Sequence, residues 1–195
     1  EPGYGCYNPN SYNRARFGGS HGGKGGKGIN TCSQNKVYGD KSAPTTLGGG
    51  SSSGGAGGGA IYINVAGDLT LKSKSRISAN GAGHSSWGGG AGGSVWIKAT
   101  RFTSTTDAMI EAKGGNAGSN SHYNYGSNYY ASGGGGGGRI LIELGTVVGA
   151  FSPKVTISGG NKGPNHGTGT NGDGGSFMLK GVGAKTIIFH VQKES

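Results

Sequence analysis

Acidic residues are scarce in this sequence. Only 8 of its 195 residues are Asp or Glu, and they are dispersed from Glu1 to Glu194. Hydrolysis of a glycosidic bond needs two carboxyl groups that face each other across the sugar, and a calcium site usually needs several carboxylate oxygens. The five histidines show no metal-ligand spacing. We therefore predict no catalytic site, no metal site and no cofactor.

Long apolar runs and helical periodicity are also missing. No stretch is long and apolar enough to be a transmembrane segment or a signal peptide. Zinc-finger spacing, helix-turn-helix patterns and RNA-binding aromatic motifs do not occur, so we expect no nucleic-acid partner. The chain begins at Glu1 rather than at a methionine, which is typical of a processed secreted chain or of an excised fragment.

The sequence has only two cysteines, Cys6 and Cys32. The loop between them is rich in Gly, Asn and Lys and has almost no residues that could form a core. Such a loop needs a covalent closure to be ordered, so we predict a Cys6–Cys32 disulfide, which would place the protein outside the cytosol. Two unrelated thiols are the alternative.

Glycine is in large excess. It accounts for 48 residues, about a quarter of the chain, whereas the average protein has about 7%. This composition alone would suggest disorder, but glycine also permits turns with positive φ and the close approach of two backbones. Runs such as residues 22–28 could form extended polyglycine-II-like rods with three residues per turn. Loose loops are the alternative.

Order is indicated by a string that occurs four times, in which a glycine pair precedes alternating apolar residues. The copies are residues 58–64, 92–98, 137–143 and 174–180. A second short string follows the first three copies, at residues 76–81, 109–114 and 156–160, whereas residues 185–191 follow the last one. The core residues of the first string recur at intervals of 34, 45 and 37 residues, which is in the range of stacked repeats.

Alternation places every second residue of a strand on the same face. Stacking of the four copies in register therefore predicts two core columns: Ile61, Val95, Ile140 and Phe177, and then Ile63, Ile97, Ile142 and Leu179. The second strings align Ile77, Ile110 and Ile157. On the opposite face one column reads Asn64, Lys98, Glu143 and Lys180, which places the glutamate between two lysines.

These columns predict an all-β fold. We expect a glycine-rich parallel β-helix or β-solenoid-like stack with long glycine-rich crossovers, forming one structural domain. Residues 1–47 are predicted to be a disulfide-closed N-terminal cap, and residues 48–195 the glycine-rich β-repeat body, because stacked repeats need atypical ends.

The opposite face also carries an apolar column, formed by Tyr62, Trp96, Leu141 and Met178. A contiguous exposed apolar patch usually indicates binding; the alternative is that the column packs beneath the N-terminal segment or a crossover. The last strand is apolar too, at Ile187, Ile188 and Phe189. It would be an exposed edge unless the chain folds it back or a second subunit covers it. We predict these seven residues as an assembly surface.

The second repeat carries an insertion, residues 116–132, which contains four tyrosines and no formal charge. Insertions in one repeat usually form surface loops, and Tyr, Ser, Asn and Gly make adaptable contact surfaces. The candidate ligand-binding residues are Trp87, His122, Tyr123, Tyr125, Tyr129 and Tyr130. The alternative is that the tyrosines lie flat on neighbouring glycine-rich segments.

The sequence alternates glycine runs with two kinds of short string, Ser94-Val95-Trp96-Ile97 and Ile77-Ser78-Ala79-Asn80-Gly81, and a further glycine run precedes Arg139 and Ile140. This pattern resembles glycine-rich repeats of large secreted or surface proteins of bacteria and protists. The resemblance covers roughly residues 47–180. It implies a parallel β-helix-like structure in an extracellular, structural or adhesive setting, and it transfers no catalytic residues.

Three functions follow from these observations. The first is an extracellular structural protein that self-associates into a filament or surface fibre. The second is a module that binds glycans or an acidic surface through the tyrosine-rich loop, a hypothesis that the net charge of +10 supports. The third is a polysaccharide-active enzyme with Glu111 as its best candidate residue, and the sequence gives it the least support.

Overall fold

The structure is a computed structural model that describes residue 3, residues 17–28, 36–118, 131–164 and 169–181, and the backbone of residues 184–189. This described part contains strands and no helix. The strands are β1 (Ala60–Leu71), β2 (Arg76–Ser78), β3 (Ser94–Ser104), β4 (Met109–Glu111), β5 (Arg139–Val147), β6 (Lys154–Thr156), β7 (Ser176–Gly181) and β8 (Ala184–Phe189). They form one five-stranded and one three-stranded sheet.

The larger sheet has the order β1-β3-β5-β7-β8, and its first four strands are parallel. Its register confirms the predicted core columns, since Ile61 pairs with Val95, Val95 with Ile140, and Ile140 with Phe177. The last strand, β8, pairs with β7 in the antiparallel direction.

The smaller sheet contains the second strings, in the parallel order β2-β4-β6. Ile77 pairs with Ile110, as expected, but Ile110 pairs with Val155 rather than with Ile157. The predicted alignment was therefore wrong by two residues at the third copy. A shift of two keeps the same residues on the same face of a strand, so the alternation could not distinguish the two registers.

The hydrophobic core combines inward-facing residues of both sheets. Val95, Ile97 and Ile142 of the larger sheet belong to the same buried cluster as Ile110 of the smaller one and Ile157, which follows β6. Phe151 lies at one end of this core, where its ring is 5.6 Å from that of Phe102 and 6.4 Å from that of Phe177. The two sheets thus bury their apolar faces in one common core.

The prediction of a parallel β-helix or β-solenoid is wrong. The described strands form two separate, mostly parallel sheets of unequal width, and the chain reverses direction at β8. The glycine runs are also not simple crossovers between coils, because they hydrogen-bond to one another as a layer of their own. The fourth repeat contributes its second strand to the larger sheet instead of extending the smaller one.

The hydrogen bonds of the glycine layer repeat every three residues. In segment 134–138, the amides of Gly134 and Gly137 both donate to segment 170–173, at 3.2 and 2.8 Å. The amides of Gly135 and Gly138 both donate to segment 112–115, at 2.9 and 2.7 Å, and the amide of Gly136 donates to Gly19 at 2.9 Å. An extended helix with three residues per turn directs successive amides to three sides in this way. Each glycine segment therefore bonds to several neighbours at once.

Close approach, rather than positive φ, is what requires glycine in this layer. Among the described glycines, positive φ occurs only at Gly3, Gly39 and Gly149, so the expectation of positive φ at the crossovers was largely wrong. A Cβ atom placed on Gly135 would lie 1.9 Å from the carbonyl oxygen of Gly90, and most glycines of the layer are equally crowded. Any side chain at such a position would force the backbones apart.

The described part of the N-terminal segment is built into this layer. The buried ring of His21 contacts the carbonyl oxygen of Gly92 at 2.9 Å through Nδ1 and the hydroxyl of Thr46 at 2.8 Å through Nε2. Residues 36–47 run across the starts of β3 and β5, where Ser94 donates to the Thr46 carbonyl and Arg139 to the Tyr38 carbonyl. The division of the chain at residue 47 stays a prediction, and Cys6 and Cys32 lie outside the described residues.

We expect Gly135→Ala to destabilise the protein by roughly 3 kcal/mol or more, because its methyl group would collide with backbone that cannot move away. Gly59→Ala is the control, since nothing lies within 4 Å of the added methyl group, and we expect a change within about 0.5 kcal/mol. Urea unfolding of both variants measures this difference. Equal stabilities would contradict a close-packed glycine layer.

Burial lowers the pKa of His21 from 6.5 to about 4. In the window between these values the unfolded chain binds a proton that the folded chain excludes, so the free energy of unfolding should fall as the pH is lowered from 6.5 to 4, by roughly 3 kcal/mol for this group. Unfolding should be measured at several pH values above about 5.5, where Asp and Glu side chains are largely ionised. His21→Gln should flatten the slope. If the free energy of unfolding of His21→Gln depended on pH as steeply as that of the wild type, the lowered pKa of His21 would not be its cause.

Candidate functional site

The predicted apolar column on the outer face of the larger sheet is only partly exposed. Tyr62 is 54% exposed and Trp96 is half-buried, whereas Leu141 and Met178 are buried. The Tyr62 and Trp96 rings pack against each other, with their centroids 4.8 Å apart. The structure thus brings the column together but leaves one exposed aromatic side chain at the β1 end rather than a continuous apolar surface.

Beside the aromatic pair lies the predicted charged column. The Glu143 carboxylate is 3.4 Å from the Lys98 amine and 3.5 Å from the Lys180 amine, which confirms its predicted place between two lysines. It also accepts a hydrogen bond from the Trp96 indole at 2.8 Å. Burial raises the pKa of Glu143, but the Trp96 hydrogen bond and the two lysines outweigh this effect, so the pKa lies below its usual value. This cluster fixes the Trp96 ring on the sheet.

The predicted terminal strand is folded back by the chain itself. Ile187, Ile188 and Phe189 belong to β8 and pair with Leu179, Met178 and Phe177 of β7. β8 is consequently the last strand of the larger sheet at one end, and β1 is the last at the other.

The predicted ligand loop lies mostly outside the described residues. This applies to His122, Tyr123, Tyr125, Tyr129 and Tyr130. Trp87 is described and half-buried, and its amide donates to Nδ1 of His84 at 3.1 Å. Trp87 is thus held in a turn that follows the smaller sheet, and its role in binding stays a prediction.

A cleft of about 820 Å³ lies beside β6 and across the ends of the smaller sheet; we call it the β6 cleft. Its lining includes the continuous segment from Lys154 to Gly159 together with Asn171 and Gly172. The polar residues that line it are Asn80, Lys113, Asn116, Lys154, Thr156, Ser158, Asn161 and Asn171. β6 ends the smaller sheet because the fourth repeat contributes no short strand there.

A buried carboxylate supports the floor of this region. Glu111 is 2% exposed; it pairs with Arg76 and lies 2.7 Å from the Lys113 amine. Burial raises the pKa of Glu111, but the hydrogen bonds from Lys113 and Arg76 outweigh it, so the pKa lies below its usual value. Glu111, the best candidate residue of the enzyme hypothesis, is buried and pairs in register with Ser78 and Thr156. The geometry gives it the role of orienting Lys113.

Sequence reasoning did not find the β6 cleft, although two signals were present. The fourth repeat lacks the second string, which leaves the far side of β6 without a neighbouring strand in the described part of the chain. A Gly-Gly-Asn sequence also follows two of the second strings, at Asn116 and Asn161, and these asparagines line the cleft together.

Comparison of the chain with protein-family models, curated proteins and solved structures finds no match. The described residues include no helix that could cross a membrane. Within the same part of the chain, no three His, Cys, Asp or Glu side chains are grouped so that they could hold a metal ion. Function must therefore be argued from the two surfaces described above, the edge of the larger sheet and the β6 cleft.

We expect Glu111→Gln to destabilise the protein by roughly 1 kcal/mol, because the buried carboxylate gives up its charge-assisted hydrogen bonds to Arg76 and Lys113, whose own side chains stay partly exposed to water. Asp68→Asn is the matched control. Asp68 pairs with Arg101 at 3.6 Å, but both side chains are more than half exposed, so its loss should cost at most about 0.5 kcal/mol. Thermal unfolding of the two variants measures both losses of stability. A larger loss in Asp68→Asn than in Glu111→Gln would contradict the prediction that the buried ion pair contributes more to stability.

Proposed function

We propose that this chain is an extracellular structural protein whose copies associate through the ends of the larger sheet into a filament or surface fibre. The observation that carries this proposal is the open edge of β1. An extracellular location is supported by the two-cysteine N-terminal segment and by the resemblance to secreted glycine-rich repeats.

The edge strand β1 is long and has no neighbour on its outer side among the described residues. It extends over 12 residues, from Ala60 to Leu71, and pairs only with β3. Natural proteins usually shorten, twist or charge such an edge, because its unpaired N–H and C=O groups attract another strand. The exposed residues of its first half are Ala60, Tyr62 and Asn64, so no charge protects that half.

The apolar core is also open at this end. Ile61 and Ile63 are only half-buried, whereas their neighbours in the same columns, Val95 and Ile97, are fully buried. Ile77 of β2 shows the same incomplete burial next to Ile110. A further strand beside β1 would therefore pair its backbone and cover apolar side chains at the same time.

A second copy of the chain is the partner that suits this edge. At the opposite end of the sheet, β8 runs antiparallel to β7. If β1 of a second copy paired with β8 in the antiparallel direction, it would run parallel to β7 and continue the sheet. Such a contact uses two different surfaces and does not close on itself, so it would generate a fibre. The charge of +10 on each copy opposes association at low ionic strength.

Asn64→Pro should abolish this association. Ser94 donates to the Gly59 carbonyl across the paired strands, and amides of a parallel strand alternate between its two neighbours, so the Asn64 amide points away from β3. Proline is tolerated at such an edge position but cannot donate to an added strand. Asn64→Ser, which keeps the amide, is the control.

The measurement is light scattering after size-exclusion chromatography together with negative-stain electron microscopy, at low and high salt. We expect the wild type and Asn64→Ser to form oligomers or fibres that increase with salt, and Asn64→Pro to remain a folded monomer with cooperative unfolding. A wild type that stays monomeric at both salt concentrations, or an Asn64→Pro variant that assembles normally, would refute the proposal.

A further inference from the structure

The β6 cleft presents hydrogen-bond donors and few acceptors from its side chains. The amide oxygens of Asn116 and Asn171 already accept backbone hydrogen bonds, from Asn161 and Lys162, both at 2.9 Å. Their NH₂ groups have no acceptor among the described residues. Each oxygen therefore keeps one free lone pair, whereas each NH₂ group keeps both of its hydrogens, so the larger remaining capacity of these side chains is as donors.

Positive charge accompanies these donors. Two lysines, Lys113 and Lys154, line the cleft, and no Asp or Glu side chain does. The Lys113 amine is held 2.7 Å from Glu111, which fixes its position beneath the cleft. Lys154 is exposed and has no ion-pair partner within the described part of the chain. Lys113, Lys154 and Arg76 carry three positive charges against the single negative charge of Glu111, so the net charge of this group is positive.

The size of the β6 cleft and the other residues that line it limit the kinds of ligand that it can bind. The cleft is of the size that holds a small ligand or a few units of a polymer. Thr156 and Ser158 add hydroxyl groups, and the described lining contains no aromatic side chain on which a nucleobase could stack. Amide, hydroxyl and ammonium groups without aromatic rings match a ligand that carries many hydroxyl groups together with carboxylates.

We infer that the β6 cleft binds a segment of an acidic polysaccharide, with the NH₂ groups of Asn116 and Asn171 and the amines of Lys113 and Lys154 as donors to its carboxylate and hydroxyl oxygens. The site includes none of the tyrosines proposed as ligand-binding residues, and no residue of β1 lines it. A fibre built from such subunits would carry one polysaccharide site on every copy.

The test uses oligomers of polygalacturonate as the probe and isothermal titration calorimetry as the readout. The main variant is Asn116→Asp, which keeps an oxygen to accept the Asn161 amide but replaces the NH₂ donor by a carboxylate. Lys154→Ala removes a second donor. Lys72→Ala is the control, because Lys72 is exposed, does not line the cleft and changes the net charge by the same amount.

We expect Asn116→Asp to weaken binding by about tenfold or more and Lys154→Ala by about fivefold, since each loses a charge-assisted or direct hydrogen bond to the ligand. Lys72→Ala should change the affinity by less than about twofold. Neutral dextran should bind at least about tenfold more weakly than polygalacturonate. All variants should unfold at the temperature of the wild type within a few degrees.

Three results would overturn the inference. Equal losses in Asn116→Asp, Lys154→Ala and Lys72→Ala would show that binding follows the overall charge of the protein. Single-stranded DNA that binds as tightly as polygalacturonate, with the same sensitivity to Asn116→Asp, would show that the cleft accepts polyanions in general. No binding of polygalacturonate at low salt would exclude the site. None of these results depends on whether Asn64→Pro blocks assembly.

Discussion

The whole structure depends on hydrogen bonds between glycine backbones that lie too close together for any side chain. In most proteins a segment without side chains has nothing to bury and stays disordered. Here the glycine segments satisfy each other's amides and carbonyls on several sides, and the absent Cβ atoms are the condition for that contact. Fixing so many glycines is costly in conformational entropy, so the layer is stable only because many bonds form together.

This layer also explains how two such narrow sheets can form a stable fold. The hydrophobic core is small and comes mainly from the long strands β3 and β5, whereas the three-residue strands β2, β4 and β6 add Ile110 and the half-buried Ile77 and Val155. The glycine segments follow the short strands β2, β4 and β6 and lead into β3, β5 and β7 of the larger sheet. The layer thereby sets the register of the strands, and the alternating apolar residues secure it.

The sequence predicted the parts of the fold that side chains determine. Alternation and repetition sufficed to align Ile61 with Val95 and Ile140, and to place Glu143 between Lys98 and Lys180. They could not distinguish Val155 from Ile157, because both face the core. The partners of the glycine segments were beyond this reasoning, since a run of identical residues contains no information on which neighbour it meets. For the same reason the solenoid was inferred in place of two sheets and a separate layer.

The two surfaces with proposed functions differ in how well the sequence predicted them. The alternation of apolar residues predicted the apolar outer column. It could not predict that Leu141 and Met178 are buried, because their burial depends on tertiary packing. The β6 cleft arises where the fourth repeat lacks a second string, and it is lined by Asn116 and Asn171, whose oxygens each accept one backbone hydrogen bond and whose NH₂ groups have no acceptor among the described residues. Both surfaces lie at places where the repeat ends, which is where a repeated structure has unsatisfied groups.

Amide hydrogen exchange followed by NMR tests the central claim most directly. If the glycine layer is a hydrogen-bonded part of the folded structure, the amides of Gly90, Gly135 and Gly137 should be protected to a similar degree as those of Val95 and Ile140 in the core strands. Exchange of these glycine amides at the rate of an unstructured peptide, while the strand amides stay protected, would contradict the account and reduce the layer to loose loops between two sheets.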